Sequence, residues 1–238
     1  MMKIAKRIAA AALGVAMVAS LTACDSVGSG TQKDTMKEDS QTYVQGLLDK
    51  MYLGKYNKEY LDLIDLTETE AEEDYLDRLY GEVDYFCYVF GIEYQDDELN
   101  DQIAEMYKQI YAKAKYTVDP ATKLESGNYA VEVSVEPIEI FTKITQEEHS
   151  AMDDEAFASL GKTEDELNAM SEEESEQWYQ DYDRAYAEGM VELVLSHMDD
   201  LTYGDAKSMV FQLAQDSDGY YSLVEGDLQN FDQYIIAY

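Results

Sequence analysis

Between Tyr129 and Glu136 the chain alternates without exception: Tyr129, Val131, Val133 and Val135 are apolar, while Ala130, Glu132, Ser134 and Glu136 are small or polar. Period two places the first set on one face of a strand and the second on the other. Such a strand belongs to an antiparallel sheet with one covered and one wet face. The residues before it, Lys115-Tyr116-Thr117-Val118 running to Asp119-Pro120, supply the other arm of a hairpin. A second hairpin is written in Lys207, Met209, Phe211 and Leu213, the turn Asp216-Ser217-Asp218-Gly219, and the return Tyr220 to Val224. A lone hairpin is too small to be stable. The two, at about 113–140 and 205–225, are therefore expected to form one antiparallel sheet. Pro137 cannot donate to a ladder and marks a strand end or an edge. Helical stripes through Phe86, Ile103 and Trp178 are available to cover the apolar face, which gives an α+β fold with several helices on one face of the sheet. Glu132, Ser134 and Gln212 then share the opposite face, the expected surface for a ligand or partner.

Helical spacing governs the rest. Tyr43, Val44, Leu47, Leu48, Met51 and Tyr52 form a first stripe, with Ser40 or Thr42 placed to cap it. Thr67 with Glu70 and Thr69 with Glu72 fit capping-box spacing ahead of a long stripe of Leu76, Leu79, Val83, Phe86, Cys87 and Phe90. A third helix starts near Asp96 or Asp97 and carries Leu99, Ile103, Met106, Tyr107, Ile110 and Tyr111. Further boxes at Thr145/Glu148, Thr163/Glu166 and Ser171/Glu174 announce helices up to about residue 200, and Asp227 is placed to cap a last short one.

The N-terminus has a different character. Lys3, Lys6 and Arg7 precede an apolar run from Ile8 to Val18 and then Leu21-Thr22-Ala23-Cys24. A basic segment, a short apolar segment and small residues before a cut describe a secretory signal, and the run is too short to span a bilayer. The Cys directly after the expected cut between Ala23 and Cys24 resembles the lipobox of bacterial lipoproteins. That resemblance implies a diacylglyceryl group on the Cys24 sulfur, a membrane anchor, and a location on the outer side of the cell membrane. Residues 1–23 thus read as signal, 24–41 as a small polar tether, and 42–238 as a single α+β domain.

Removing residues 1–23 takes three basic residues and no acidic one, leaving 14 Lys and Arg against 51 Asp and Glu, a formal charge of −37. Such a field repels nucleic acid and anionic lipid headgroups and attracts basic proteins and cations. Nucleic acid is excluded as a partner. The 21 Tyr, 6 Phe and the aliphatic residues nonetheless supply enough apolar area for a core. Once Cys24 is acylated only Cys87 remains a thiol, so no internal disulfide is available. Cys87 lies on an apolar stripe with no base or cation beside it, and reads as a buried small hydrophobe rather than a nucleophile.

No catalytic constellation is legible. The segment from Asp216 to Glu225 imitates an EF-hand, but placing Gly219 at position six puts Ala214 at position one, where an oxygen ligand is needed. His149 and Asp153 have i,i+4 geometry, and His197 lies near a helix end; zinc on either would need distant carboxylates. The acidic runs Glu164-Asp165-Glu166 and Glu172-Glu173-Glu174 suit helix first turns. Nucleophile elbows, phosphate loops and paired Cys motifs do not occur, and no metal or cofactor is implied. Tyr85, Tyr88, Tyr94, Tyr179, Tyr220 and Tyr234 fall off or at the edge of the stripes and are candidates for surface contact.

The succession of lipobox, polar tether, Tyr43-Val44-Gln45-Gly46-Leu47-Leu48-Asp49, the strand Tyr129 to Pro137 and the close Gly219-Tyr220-Tyr221-Ser222 to Asp227-Leu228 resembles lipoproteins of Firmicutes, notably gut Clostridia. The arrangement is also similar to the cystatin and nuclear-transport-factor-like α+β class. The resemblance transfers no catalytic residue. The expectation is a domain that binds a basic protein, a cation or a small ligand without chemistry; the alternatives are a cell-envelope hydrolase and a low-affinity divalent-cation binder.

Overall fold

The computed structural model describes residues 35–215, 221–224 and 226–238. The fold is α+β. The described residues form two compact units, one within 35–73, 115–136 and 205–235, the other within 74–114, 137–204 and 236–238, so the chain passes from one to the other five times.

The first unit holds the sheet. Its strands are β1 (Lys115–Val118), β2 (Thr122–Lys123), β3 (Tyr129–Glu136), β6 (Lys207–Gln215) and β7 (Tyr221–Leu223). Hydrogen bonding follows the order β1-β3-β6-β7, with β2 also on β3, and every pair is antiparallel. The two hairpins thus join through β3 and β6, in the register Val131↔Phe211 and Val133↔Met209. Tyr129, Val131, Val133, Val135, Phe211 and Leu213 are buried. Within the unit they are covered by α1 (Thr35–Leu48) and α8 (Asp227–Ile235), whose Phe231 ring lies 5.6 Å from that of Phe211. Helix α2 (Lys58–Ile64) packs on α1. Gly46 permits this approach, because a Cβ there would lie 2.2 Å from the Tyr60 ring.

Helix α1 includes Thr35 to Gln41, part of the stretch read as tether, and Ser40 is fully buried within it rather than capping it. Met36, Ser40, Tyr43 and Val44 continue one helix face; a buried serine breaks the apolar signal without breaking the helix. The helix runs on through a π-helical turn, Asp49–Leu53, ended by left-handed Gly54 at φ 58°. Such turns insert one residue and redirect the side chains that follow. Asp49 accepts hydrogen bonds from the Tyr116 hydroxyl at 2.6 Å and from Gln45 Nε2 at 2.8 Å, while the Tyr52 hydroxyl donates to Asp232. Burial, with Asp49 as acceptor, pushes the Tyr116 hydroxyl far above its ordinary pKa. Asp227 does not cap α8. Its carboxylate accepts the backbone N–H of Gln212 at 2.8 Å.

The second unit is helical. Its main elements are α3 (Glu68–Phe90, of which residues 74–90 belong here), α4 (Asp97–Tyr111), α5 (Gln146–Ser159), the short α6 (Glu164–Asn168) and α7 (Glu172–Ser196). Complete capping boxes at Thr145/Glu148, Thr163/Glu166 and Ser171/Glu174 open α5, α6 and α7, and Asp96 caps α4 through the N–H of Leu99. Helices α5 and α7 run antiparallel, joined in rungs four residues apart: His149 with Tyr186, Asp153 with Tyr182, and Phe157 with Trp178. Two short strands, β4 (Ile138–Glu139) and β5 (Thr202–Tyr203), pair antiparallel, and Ile236 bridges to Ile138. The terminal Tyr238 stacks on Phe141 at 4.6 Å, with its hydroxyl 2.7 Å from that of Tyr107.

Candidate functional site

The outer face of the sheet is built by register. Ala130 stands opposite Gln212, Glu132 opposite Val210 and Ser134 opposite Ser208, so alternation sends all six side chains away from the buried face. Glu132 and Gln212 are exposed, Ser134 is half-buried, and the Ser134 and Ser208 hydroxyls hydrogen-bond at 2.8 Å. The structure therefore brings Glu132, Ser134 and Gln212 onto one face.

Pro120 shapes one end of that face. It has no N–H and fixed φ, so it interrupts an edge strand rather than continuing it. The edge alongside β3 is accordingly split into β1 and β2, with Asp119 N–H bonding the Glu132 carbonyl at 2.9 Å where β1 leaves off. At the break lies a recess of about 510 Å³ lined by Asp119, Pro120, Thr122, Ala130, Glu132 and Val210. Its lining combines two carboxylates and a hydroxyl with the apolar side chains of Pro120, Ala130 and Val210. Asp119, Pro120, Thr122 and Val210 were not legible as site residues, because the recess arises from the break in the edge. Beyond it, Gln41 Nε2 on α1 donates to the Val118 carbonyl at 3.1 Å and occupies an acceptor that the edge would otherwise offer a foreign strand.

The histidines have structural partners. His149 Nε2 lies 2.8 Å from the Tyr186 hydroxyl, and Asp153 accepts from Tyr182, so the i,i+4 pair faces two tyrosines of α7. His197 is the C-cap of α7, its Nε2 3.4 Å from Glu148 Oε1, a contact too long for a good hydrogen bond. Among the described residues no group of three His, Cys, Asp or Glu is arranged to hold a metal ion. Burial pushes the Cys87 thiol up to about 11, which keeps it protonated and unreactive. Glu166 and Glu174, from the acidic runs, serve in capping boxes. Of the expected surface tyrosines, Tyr85, Tyr88 and Tyr179 are exposed. Tyr94 and Tyr234 are half-buried, the latter under Lys207 Nζ at 4.5 Å. Ala23, Cys24, Asp216 to Tyr220 and Glu225 lie outside the described residues.

No family model matches the chain, and no curated protein matches it. Among solved structures it is similar to a candidate lipoprotein (ycdA) of Bacillus subtilis, with a TM-score of 0.50 and 16% identity, over 84% of this chain and 56% of that one. The chain thus spans little more than half of that protein's length, and the likeness concerns the fold. No described helix is long and apolar enough to cross a membrane.

Proposed function

We propose that the chain is a lipid-anchored protein of the outer side of the cell membrane whose folded part binds a ligand or partner without chemistry, through the outer face of the sheet. Residues 1–23 are the signal, Cys24 carries the diacylglyceryl group, and the polar residues after it link lipid to fold. Support comes from Leu21-Thr22-Ala23-Cys24 and from the lipoprotein designation of the structural neighbour. On this reading the chain belongs with the surface lipoproteins of Firmicutes, with α1 and α8 lying on one sheet face as helices do in cystatin and nuclear-transport-factor-like folds.

The observation that carries the binding role is the recess at the broken edge, lined by the carboxylates of Asp119 and Glu132 together with Pro120, Ala130 and Val210; these would suit a cationic group on a short apolar body. A fluorophore on Gln212→Cys, in the full-length chain in neutral detergent, reports on this face. A capped lysine derivative should give a saturable change that its acetylated counterpart does not, and Asp119→Asn with Glu132→Gln should abolish it. Equal responses to the two compounds would defeat the reading. The anchor is tested separately: Cys24→Ala should remove lipid labelling and shift the protein from the membrane fraction, and undiminished labelling would refute it.

A further inference from the structure

Helix α3 presents a second surface, in the other unit, that the sheet face does not explain. Its buried side is complete in Tyr75, Leu79, Val83, Phe86 and Cys87. The opposite side should then be polar, yet Tyr88, 83% exposed, projects from its middle, with Tyr80 and Tyr85 exposed toward its two flanks, the Tyr85 ring edge-on to that of Tyr238 at 5.1 Å. Leu76, in line with buried Val83, and Val89 are exposed near the two ends of the helix, and the stretch between them rises about 20 Å. Gly81 lies among the tyrosines, and nothing lies within 4 Å of where its Cβ would be. Single exposed apolar residues need no explanation, but several on one helix face mark a contact surface.

Charge decides the occupant. The same side carries Glu73, Asp77 and Asp84, all exposed, and Asp101 of α4 accepts the Tyr80 hydroxyl. Arg78, the single basic residue of the helix, is paired to Glu82 at 3.1 Å. A second copy of this chain would bring the same carboxylates against these, and an anionic headgroup surface would be repelled. A cation gains both ways, from the carboxylates and from the faces of the tyrosine rings.

We propose that the outward side of α3, from Leu76 to Val89, docks a cationic amphipathic segment of another protein, whose Lys or Arg side chains lie over Tyr80, Tyr85 and Tyr88 and against Asp77 and Asp84. The tyrosines supply rigid contact area with little entropy to lose. The carboxylates speed encounter, so binding weakens with salt.

The test uses the full-length chain in neutral detergent and a synthetic 18-residue helical peptide of Leu, Lys and Arg, titrated calorimetrically beside a lysine homopolymer of equal charge. The patterned peptide should bind at least tenfold tighter than the homopolymer. Gly81→Lys, which the open space around that residue accommodates, should weaken it tenfold or more, as should Tyr88→Ala. Glu172→Gln, with the same change of charge elsewhere, should shift binding less than twofold. Asp119→Asn with Glu132→Gln should likewise leave it intact, which separates this surface from the sheet face. The proposal is overturned if the homopolymer binds as well as the patterned peptide, if Glu172→Gln weakens binding as much as Gly81→Lys, or if sedimentation shows a dimer that Gly81→Lys dissociates.

Discussion

The two units are held by different kinds of contact. In the first, two local hairpins are joined through β3 and β6, whose paired residues lie some 80 positions apart, as Val131 does from Phe211, and α1 and α8, at opposite ends of the described chain, close over the same apolar face. In the second, each of α5, α6 and α7 is opened by a box of two residues three apart, and the α5–α7 rungs repeat every four residues along neighbouring helices. The sheet of the first unit is closed by residues that only the completed fold brings together, whereas the helices α5, α6 and α7 of the second are each started by a rule that acts within a single turn. Substitutions in the first should therefore cost packing, and substitutions in the second should cost helix ends.

The largest effect should come from Phe211→Ala. The side chain is fully buried between β3 and α8, and its loss should lower unfolding free energy by about 3–5 kcal/mol, read by urea denaturation. A loss near that of a surface residue would show that the sheet is not the core of its unit. Next come two helical glycines whose replacement should act with opposite signs. A Cβ at Gly46 would meet the Tyr60 ring at 2.2 Å, whereas one at Gly189 would meet the thioether of Met152 at 2.8 Å. The Tyr60 ring is 1% exposed and cannot retreat, while methionine re-adjusts readily. Gly46→Ala should destabilise by about 1–3 kcal/mol. Gly189→Ala should be neutral or stabilising, by up to about 1 kcal/mol of helix propensity, and paired melts would compare them. Thr145→Ala removes the α5 cap and should cost about 1 kcal/mol, seen as faster amide exchange confined to the first turn of that helix.

The smallest effect is with acid. Backbone hydrogen bonds from Thr145, Thr163 and Ser171 lower the pKa values of Glu148, Glu166 and Glu174. A carboxyl whose folded pKa lies below its unfolded one favours the fold above the unfolded value, and that contribution vanishes as pH falls through the folded value. Asp227 has the opposite sign: burial raises its pKa, so its contribution falls as pH rises through that value. Below about pH 4 the first turns of α5, α6 and α7 should fray before the sheet loosens. Hydrogen exchange corrected for intrinsic rates would reveal the reverse order if it occurred.

The same division explains what the sequence discloses. The boxes at Thr145, Thr163 and Ser171 and the alternation of β3 are local patterns that the structure keeps; ahead of α3 the Thr67/Glu70 pair hydrogen-bonds, whereas Thr69 lies inside the helix, and in β6 only Phe211 and Leu213 are buried. The joining of the hairpins follows from them, since neither could stand alone. That residues 35–41 are helical is hidden by polar Ser40, which the fold buries completely. The π-helical turn at Asp49 has no sequence signature, and its acceptor role toward Tyr116 needs residues 67 positions apart. Asp227 illustrates competition: a residue type suited to capping is drawn to the backbone of Gln212 instead. On the outer face the alternation identifies Glu132, Ser134 and Gln212, but the recess beside them depends on where Pro120 interrupts the edge.

The five passages of the chain between the units bear on how the protein is made. A chain that emerges from its N-terminus, from a ribosome or through a membrane pore, delivers β3 long before β6, so the valine-rich strand waits with one edge unpaired until nearly the whole length has appeared. During that interval Glu132 and Glu136, idle as far as packing is concerned, put negative charge along the exposed strand and oppose its zipping to a neighbouring nascent copy. Neither unit is a contiguous stretch: each gathers segments from early and late in the chain. Synthesis must therefore reach α8 before the sheet acquires its second cover.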